Sequence, residues 1–272
     1  MIKKVFSVMA FYTCLIFADF RDYPEANNNP IAQFYYENHT QQTLNFVLQK
    51  KQQYVGSYRK QMSVWQALEQ LNQLVDESDP DLNLPQIQHA LQTAEAIRKD
   101  GQPEWFVITG LIHDLGKILC AFDEPQWAVV GDTFPVGCAY TKDIVYHAFF
   151  NDNPDILIKE YQTKYGIYKP NCGLEHVHMS WGHDEYLYHV VKNYLPPQAA
   201  YVIRYHSFYA QHQHNAYDHL LNEYDRQMFA WVKKFQTYDL YSKDRTHQID
   251  IEKVKPYYQT LIAEFFPDQI DW

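Results

Sequence analysis

Two titratable side chains stand next to each other inside an apolar helical run, Ile112-His113-Asp114-Leu115-Gly116-Lys117. A buried polar ring or charge is costly unless it is paired or bound to a metal, so the fold must bring further polar groups to this pair. Adjacent side chains on a regular helix diverge by about 100°. One metal therefore takes both only through a distorted turn, whereas two metals or a bridging carboxylate can use both. A lone histidine here would read as a satisfied core residue. His-Asp followed by Gly and Lys reads as functional.

Further candidates stand at helix-compatible positions: His89, then His183 in SWGHDEY, His206 in RYHSFY and Asp239 in YDLYSK. They lie too far apart for a zinc finger and converge only if several helices point inward, as in bundles that build metal sites from facing side chains. The order H…HD…H…H…D resembles the HD-domain superfamily. Four imidazoles and two carboxylates suit iron, manganese or another borderline metal, and the absence of cysteine ligands argues against structural zinc or iron–sulfur. If Asp114 bridges, the natural split is His89, His113, Asp114 and Asp239 on one metal and Asp114, His183 and His206 on the other. The second metal then has fewer protein ligands, leaving positions for a chelating substrate and dioxygen.

From Asn38 onward apolar residues recur at helical spacing, with one stripe at Val64, Leu68, Leu71 and Val75 and a second at Ile87, Leu91, Ala94 and Ile97. Helices are expected over Pro103 to Cys120, Asp184 to Tyr194, Pro197 to Tyr209, Tyr224 to Thr237 and Val254 to Phe266. No βαβ alternation, solenoid repeat or low-complexity linker interrupts them, so the expectation is a single all-α domain. Asp76 to Pro85 (DESDPDLNLP) and Gly131 to Gly137 (GDTFPVG) read as loops, and loops of this composition either connect elements or carry ligand contacts.

The formal charge of −10 disfavours a nucleic-acid partner, which needs a basic face to replace counterions. Cys14, Cys120, Cys138 and Cys172 form no C-x-x-C pair, which suits a reducing, cytoplasmic setting. Against that, Lys3 and Lys4 precede an uncharged apolar run from Val5 to Ala18, the shape of a secretory leader. The run is short for a bilayer span. Residues 1–18 are read as this leader and 19–272 as the catalytic domain, with secretory entry as the alternative localisation.

The strings VDESDPDLN, HALQTAEAIRK, HDLGK, EPQWAVVGDTFPVGC, MSWGHDEY, RYHSFY and YDLYSK resemble the inositol oxygenase family from about Phe20 to Trp272. HDLGK alone is a weak signal; QWAVVGDTFPVG and SWGHDEY narrow it. The resemblance implies an HD-type helical bundle enclosing a mixed-valent Fe(II)/Fe(III) pair. It also implies O2-dependent cleavage of myo-inositol to D-glucuronate, the first step of inositol catabolism. By the same resemblance the metal ligands are His89, His113, Asp114, His183, His206 and Asp239. The substrate contacts are Arg21, Asp76, Glu77, Ser78, Lys117, Gly131, Asp132, His206, Ser207 and Lys243. Asp114 and Lys117 are the catalytic pair, and a monomer is expected. A six-hydroxyl ring needs carboxylates and hydroxyls around it, which agrees with those residue types. Lys117, one turn after His113, is placed to favour the deprotonated form of a substrate hydroxyl; its alternative is a solvated helix charge.

Two other functions fit an HD-type site. A metal-dependent phosphohydrolase would clamp phosphate with basic groups, which the acidic DESDPD loop opposes. A metal-storing scaffold would need no substrate groups. His147, His176, His178, His189, His212, His214 and His219 are read as surface residues, and the tyrosine and tryptophan wealth as core packing.

Overall fold

The computed structural model describes residues 23, 29–57, 59–78, 85–240 and 248–272. Arg21, Lys243 and the leader lie outside the described residues, as does part of the Asp76 to Pro85 loop. The chain forms α1 (Pro30–Gln41), α2 (Leu44–Tyr54), α3 (Val64–Leu71), α4 (Gln86–Lys99) and α5 (Glu104–Ile112), then α6 (His183–Val191), α7 (Pro197–Tyr205), α8 (Tyr209–His214), α9 (Glu223–Asp239) and α10 (Ile251–Phe265). The expected all-α bundle is what forms. Its minor addition is a two-residue antiparallel pairing of β1 (Gln61–Met62) with β2 (Ile270–Asp271).

Local chemistry starts several helices. Asn29 accepts from the Ile31 amide ahead of Pro30, and Ser63–Gln66 and Asn222–Asp225 form reciprocal capping boxes on α3 and α9. Helices α4, α5, α7 and α9 pack around one another, while α6 lies against α7 and the segment after α5. The stripes Val64, Leu68, Leu71 and Ile87, Leu91, Ala94, Ile97 are buried as expected; Val75, at the end of the first, is exposed beyond α3.

Three expected helices differ. Pro103 to Cys120 is not continuous: α5 stops at Ile112, His113 caps it, and Asp114 (φ −94°, ψ −1°) leads into a 3₁₀ turn over Leu115–Phe122. Pro197 to Tyr209 divides at His206, where α7 ends and α8 begins three residues on. Helix α1 starts eight residues before the first expected helical residue, because polar Asn38 and His39 share its buried face and dilute the apolar stripe. Glu104–Phe122 is long and apolar enough to cross a membrane, yet 72% of its most apolar window is buried inside the protein's own core.

Gly116 makes the break after α5 possible. A Cβ at this position would overlap the backbone of His183, at its carbonyl oxygen and Cα, so the 3₁₀ turn and the start of α6 touch backbone to backbone. Gly116→Ala is expected to lose about 3 kcal/mol of stability by overpacking, since backbone cannot swing aside like a flexible side chain. Chemical denaturation monitored by circular dichroism checks this, and an unshifted midpoint would show that the contact relaxes at little cost.

Candidate metal centre

Helix ends deliver most of the candidate ligands. His89 lies in the first turn of α4, His113 caps the C-terminus of α5 with Asp114 next, His183 opens α6, His206 caps the C-terminus of α7 and Asp239 is the last residue of α9. All six come together. Among the described residues two groups have the spacing to hold a cation, His89–His113–Asp114 and Asp114–His183–His206, with Asp114 common to both. Its Oδ2 faces His113 Nε2 at 3.5 Å and His89 Nε2 at 3.9 Å, and its Oδ1 faces His183 Nε2 at 3.4 Å and His206 Nε2 at 3.6 Å. Asp239 Oδ1 completes the first group, 2.9 Å from His89 Nε2 and 3.4 Å from His113 Nε2. The break after Ile112 is the distorted turn that lets neighbours His113 and Asp114 face the same point.

The ring orientations fit a metal. His113 Nδ1 lies 2.9 Å from the Gly110 carbonyl, His206 Nδ1 2.9 Å from the Ile203 carbonyl and His183 Nδ1 2.8 Å from the Val129 carbonyl. A carbonyl only accepts, so each Nδ1 carries a proton and each Nε2 faces inward, where a metal can take its lone pair in place of a proton. His183 and His206 bring those nitrogens within 3.3 Å of one another, an arrangement a shared cation relieves. Buried His89 Nδ1 has no hydrogen-bond partner among the described residues.

Electrostatics point the same way. Burial raises the Asp114 carboxyl, but the Lys117 ammonium and then His113 outweigh it and hold Asp114 well below the usual carboxylate range. Asp239 is likewise held low against its burial, chiefly by His113. Burial lowers the His113 imidazole, yet Asp114 and Asp239 overcome this and carry it up to about 9. The buried centre thus favours positive charge, which metal ions and protons compete to supply.

Polar groups flank the clusters. Lys117 does not project along a common helix face with His113, because the α-helix has ended; its Nζ instead sits 2.9 Å from Asp114 Oδ2 and 2.7 Å from Asp76 Oδ2. It is 8% exposed and paired, so the solvated-charge reading does not hold. Asp76 Oδ1 accepts from the Ser78 amide and hydroxyl at 2.9 and 2.6 Å. Glu77 between them is exposed, its carboxylate taking the Gln126 side chain at 3.3 Å. Gly131 (φ +92°) presents Asp132, whose Oδ1 accepts from Tyr35 at 3.1 Å, and the Ser207 carbonyl holds the Thr133 amide at 3.0 Å.

Three groups around the centre are absent from the sequence reading of it. His212, expected at the surface, is buried with Nε2 3.1 Å from the His206 carbonyl, which also accepts from Gln236 at 2.6 Å. Of the other histidines set aside, His176 and His214 are exposed, and His147, His178, His189 and His219 are half-buried. Tyr35 carried no signal. Asp184 did: His183-Asp184 repeats the His-Asp pair of His113-Asp114.

A model of the myo-inositol oxygenase family matches residues 28–272. The chain belongs to the myo-inositol oxygenase family. Inositol oxygenase 1 of Arabidopsis thaliana is 51% identical over 262 residues, covering 93% of this chain and 84% of that protein. Inositol oxygenase of Dictyostelium discoideum is 49% identical over 264 residues, 93% and 90% of the two chains, and that of Danio rerio 48% identical over 239 residues, 86% of each.

Because Asp114 alone touches both groups, Asp114→Ala is expected to abolish binding of both metals. His206→Ala should weaken chiefly the one shared with His183. Metal content per chain after gel filtration, by plasma mass spectrometry, reads the difference; equal content in the two variants would sink the bridging role.

Proposed function

We propose that this chain is a di-iron oxygenase that cleaves the ring of myo-inositol with O2, giving D-glucuronate and water. Membership of the inositol oxygenase family over nearly the whole chain, together with two imidazole–carboxylate groups sharing Asp114, supports this reading. His89, His113, Asp114 and Asp239 would hold one iron, and Asp114, His183 and His206 the other. A mixed-valent Fe(II)/Fe(III) pair supplies the redox capacity for a four-electron oxidation by O2. The donor set fits: four imidazoles and two carboxylates suit first-row metals, and no thiolate belongs to either group.

The protein's own contribution is to bind and orient a neutral polyol. Asp76, Asp132 and Ser207 offer oxygen atoms to ring hydroxyls, and a site built to hydrogen-bond each hydroxyl rejects analogues that lack one. Lys117 is desolvated by burial, which lowers its pKa, but Asp114 and Asp76 more than compensate and it stays an ammonium. Beside a bound ring, that charge favours the deprotonated form of one hydroxyl. The reading includes a cytoplasmic setting, which unbridged Cys120, Cys138 and Cys172 support.

Protein purified anaerobically with ferrous iron is expected to carry two irons per chain, to consume O2 only with a cyclic polyol present, and to change its electron paramagnetic resonance on myo-inositol addition. Stoichiometric zinc, or phosphoester hydrolysis without oxygen uptake, would overturn the oxygenase. Lys117→Met keeps length and removes charge; it should retain both irons and lose about a hundredfold in single-turnover rate, the effect of deleting one desolvated charge donor. A near wild-type rate would remove Lys117 from the chemistry, and lost iron would make it a support of the centre.

A further inference from the structure

Asp184 is 1% exposed, is not a member of either cation-spaced group, and uses both of its oxygens. Oδ2 accepts from the Ser207 amide at 3.0 Å. Oδ1 lies 3.1 Å from Ser207 Oγ, 2.8 Å from His183 Nε2 and 3.3 Å from His206 Nδ1. It therefore ties the first turn of α6 to the turn that follows α7, between two candidate ligands and the serine beside them. A carboxylate has no proton to give, so in the contact with Ser207 the hydroxyl donates. A hydroxyl has one proton. His183 Nε2 at 3.3 Å is the other partner within reach of Ser207 Oγ; with the proton committed to Asp184 at 3.1 Å, Oγ meets everything else as an acceptor. With a cation on the His183 Nε2 lone pair, the donors left to Asp184 Oδ1 would be the Ser207 hydroxyl at 3.1 Å and His206 Nδ1–H at 3.3 Å, the latter already given to the Ile203 carbonyl at 2.9 Å.

We propose that Asp184 is a positioning residue that fixes the polarity of Ser207, turning the hydroxyl proton inward and the lone pairs outward, so that Ser207 accepts from a ring hydroxyl and selects substrate over product. The inference rests on the oxygenase reading, in which Ser207 borders the bound polyol. The discrimination follows from donor count. Every carbon of an inositol carries an O–H that can donate, whereas in D-glucuronate the two carbons parted by ring cleavage carry a carboxylate and a carbonyl that only accept, and the contrast applies where Ser207 borders those two carbons. An outward-facing lone pair rewards the first and repels the second. Asp184 thereby favours departure of the oxidised, anionic product.

Asp184→Asn tests this, because an amide can turn its NH2 to Ser207 Oγ and reverse the hydroxyl. The variant is expected to keep two metals per chain and a wild-type resonance before substrate addition. Its KM for myo-inositol should rise about tenfold with kcat little changed, while D-glucuronate inhibits at about tenfold lower concentration; in a Ser207→Ala background the same substitution should shift neither constant further. Loss of the metal held by His183 and His206, or an undiminished effect in the Ser207→Ala background, would make Asp184 a support of the metal instead and overturn the proposal. Should Asp184→Asn not fold, Ser207→Ala carries the test alone: the ratio of D-glucuronate to myo-inositol dissociation constants should fall about tenfold, and an unchanged ratio refutes the assignment. Wild-type oxygen uptake in the same preparations keeps the two readings separable, since its absence sinks the oxygenase while equilibrium binding of both compounds still reports on Asp184.

Discussion

Everything in this structure turns on one carboxylate with two faces. Asp114 gives one oxygen to His89 and His113 and the other to His183 and His206, and it stands beside Lys117 as well. Ionised and largely withdrawn from water, it is tolerable only because each oxygen meets positive or proton-bearing groups. The helices are arranged to supply them: α4 and α5 meet on one side, α6 and the end of α7 on the other, and α9 closes the first side with Asp239. Removing Asp114 would leave two histidine sets with nothing in common.

Holding four imidazoles around a carboxylate requires that each ring present the correct nitrogen. The backbone does this for three of them, using the carbonyls of Gly110, Ile203 and Val129. Two of these carbonyls belong to the last turns of α5 and α7, where helical carbonyls have no amide partner four residues on. A helix end, normally a group to be satisfied, here fixes a tautomer. The same backbone then limits its neighbours: Gly116 is forced by the approach of His183, and Gly131 by the left-handed turn that presents Asp132.

How much of this the sequence disclosed follows from the range of each interaction. The apolar stripes of α3 and α4 are local, periodic and plainly legible, and so was the isolation of His113-Asp114 in an apolar run. Convergence of His89, His183, His206 and Asp239 on that pair could be anticipated as a set, because nothing else explains them together. The break at His113 could not be placed, since Gly116 is the one local helix breaker just after it and the constraint that uses it comes from His183, distant in the chain. Lys117 was read along a helix face that does not exist, yet its ammonium still reaches the centre through Asp76 and Asp114. His212 was assigned by its polar neighbours, but its burial is decided by α9, which supplies Gln236 to the same carbonyl. Tyr35 bonds a residue across the fold, and no local pattern announces that contact.

The direction in which three helices run adds a consequence of its own. Helices α5, α7 and α9 all finish at the centre, with His113, His206 and Asp239 at their C-termini. Each aligned stack of peptide dipoles places roughly half a negative elementary charge at that end, felt within the last turn. Helices α4 and α6 point their positive ends inward, at His89 and His183. The net of these five ends leans towards cations before any side chain ionises. Phosphate sites favour the reverse polarity, with helix N-termini aimed at the ligand. With three negative helix ends against two positive ones around the six candidate ligands, the backbone field here leans away from anions, and an uncharged ring meets no penalty from it.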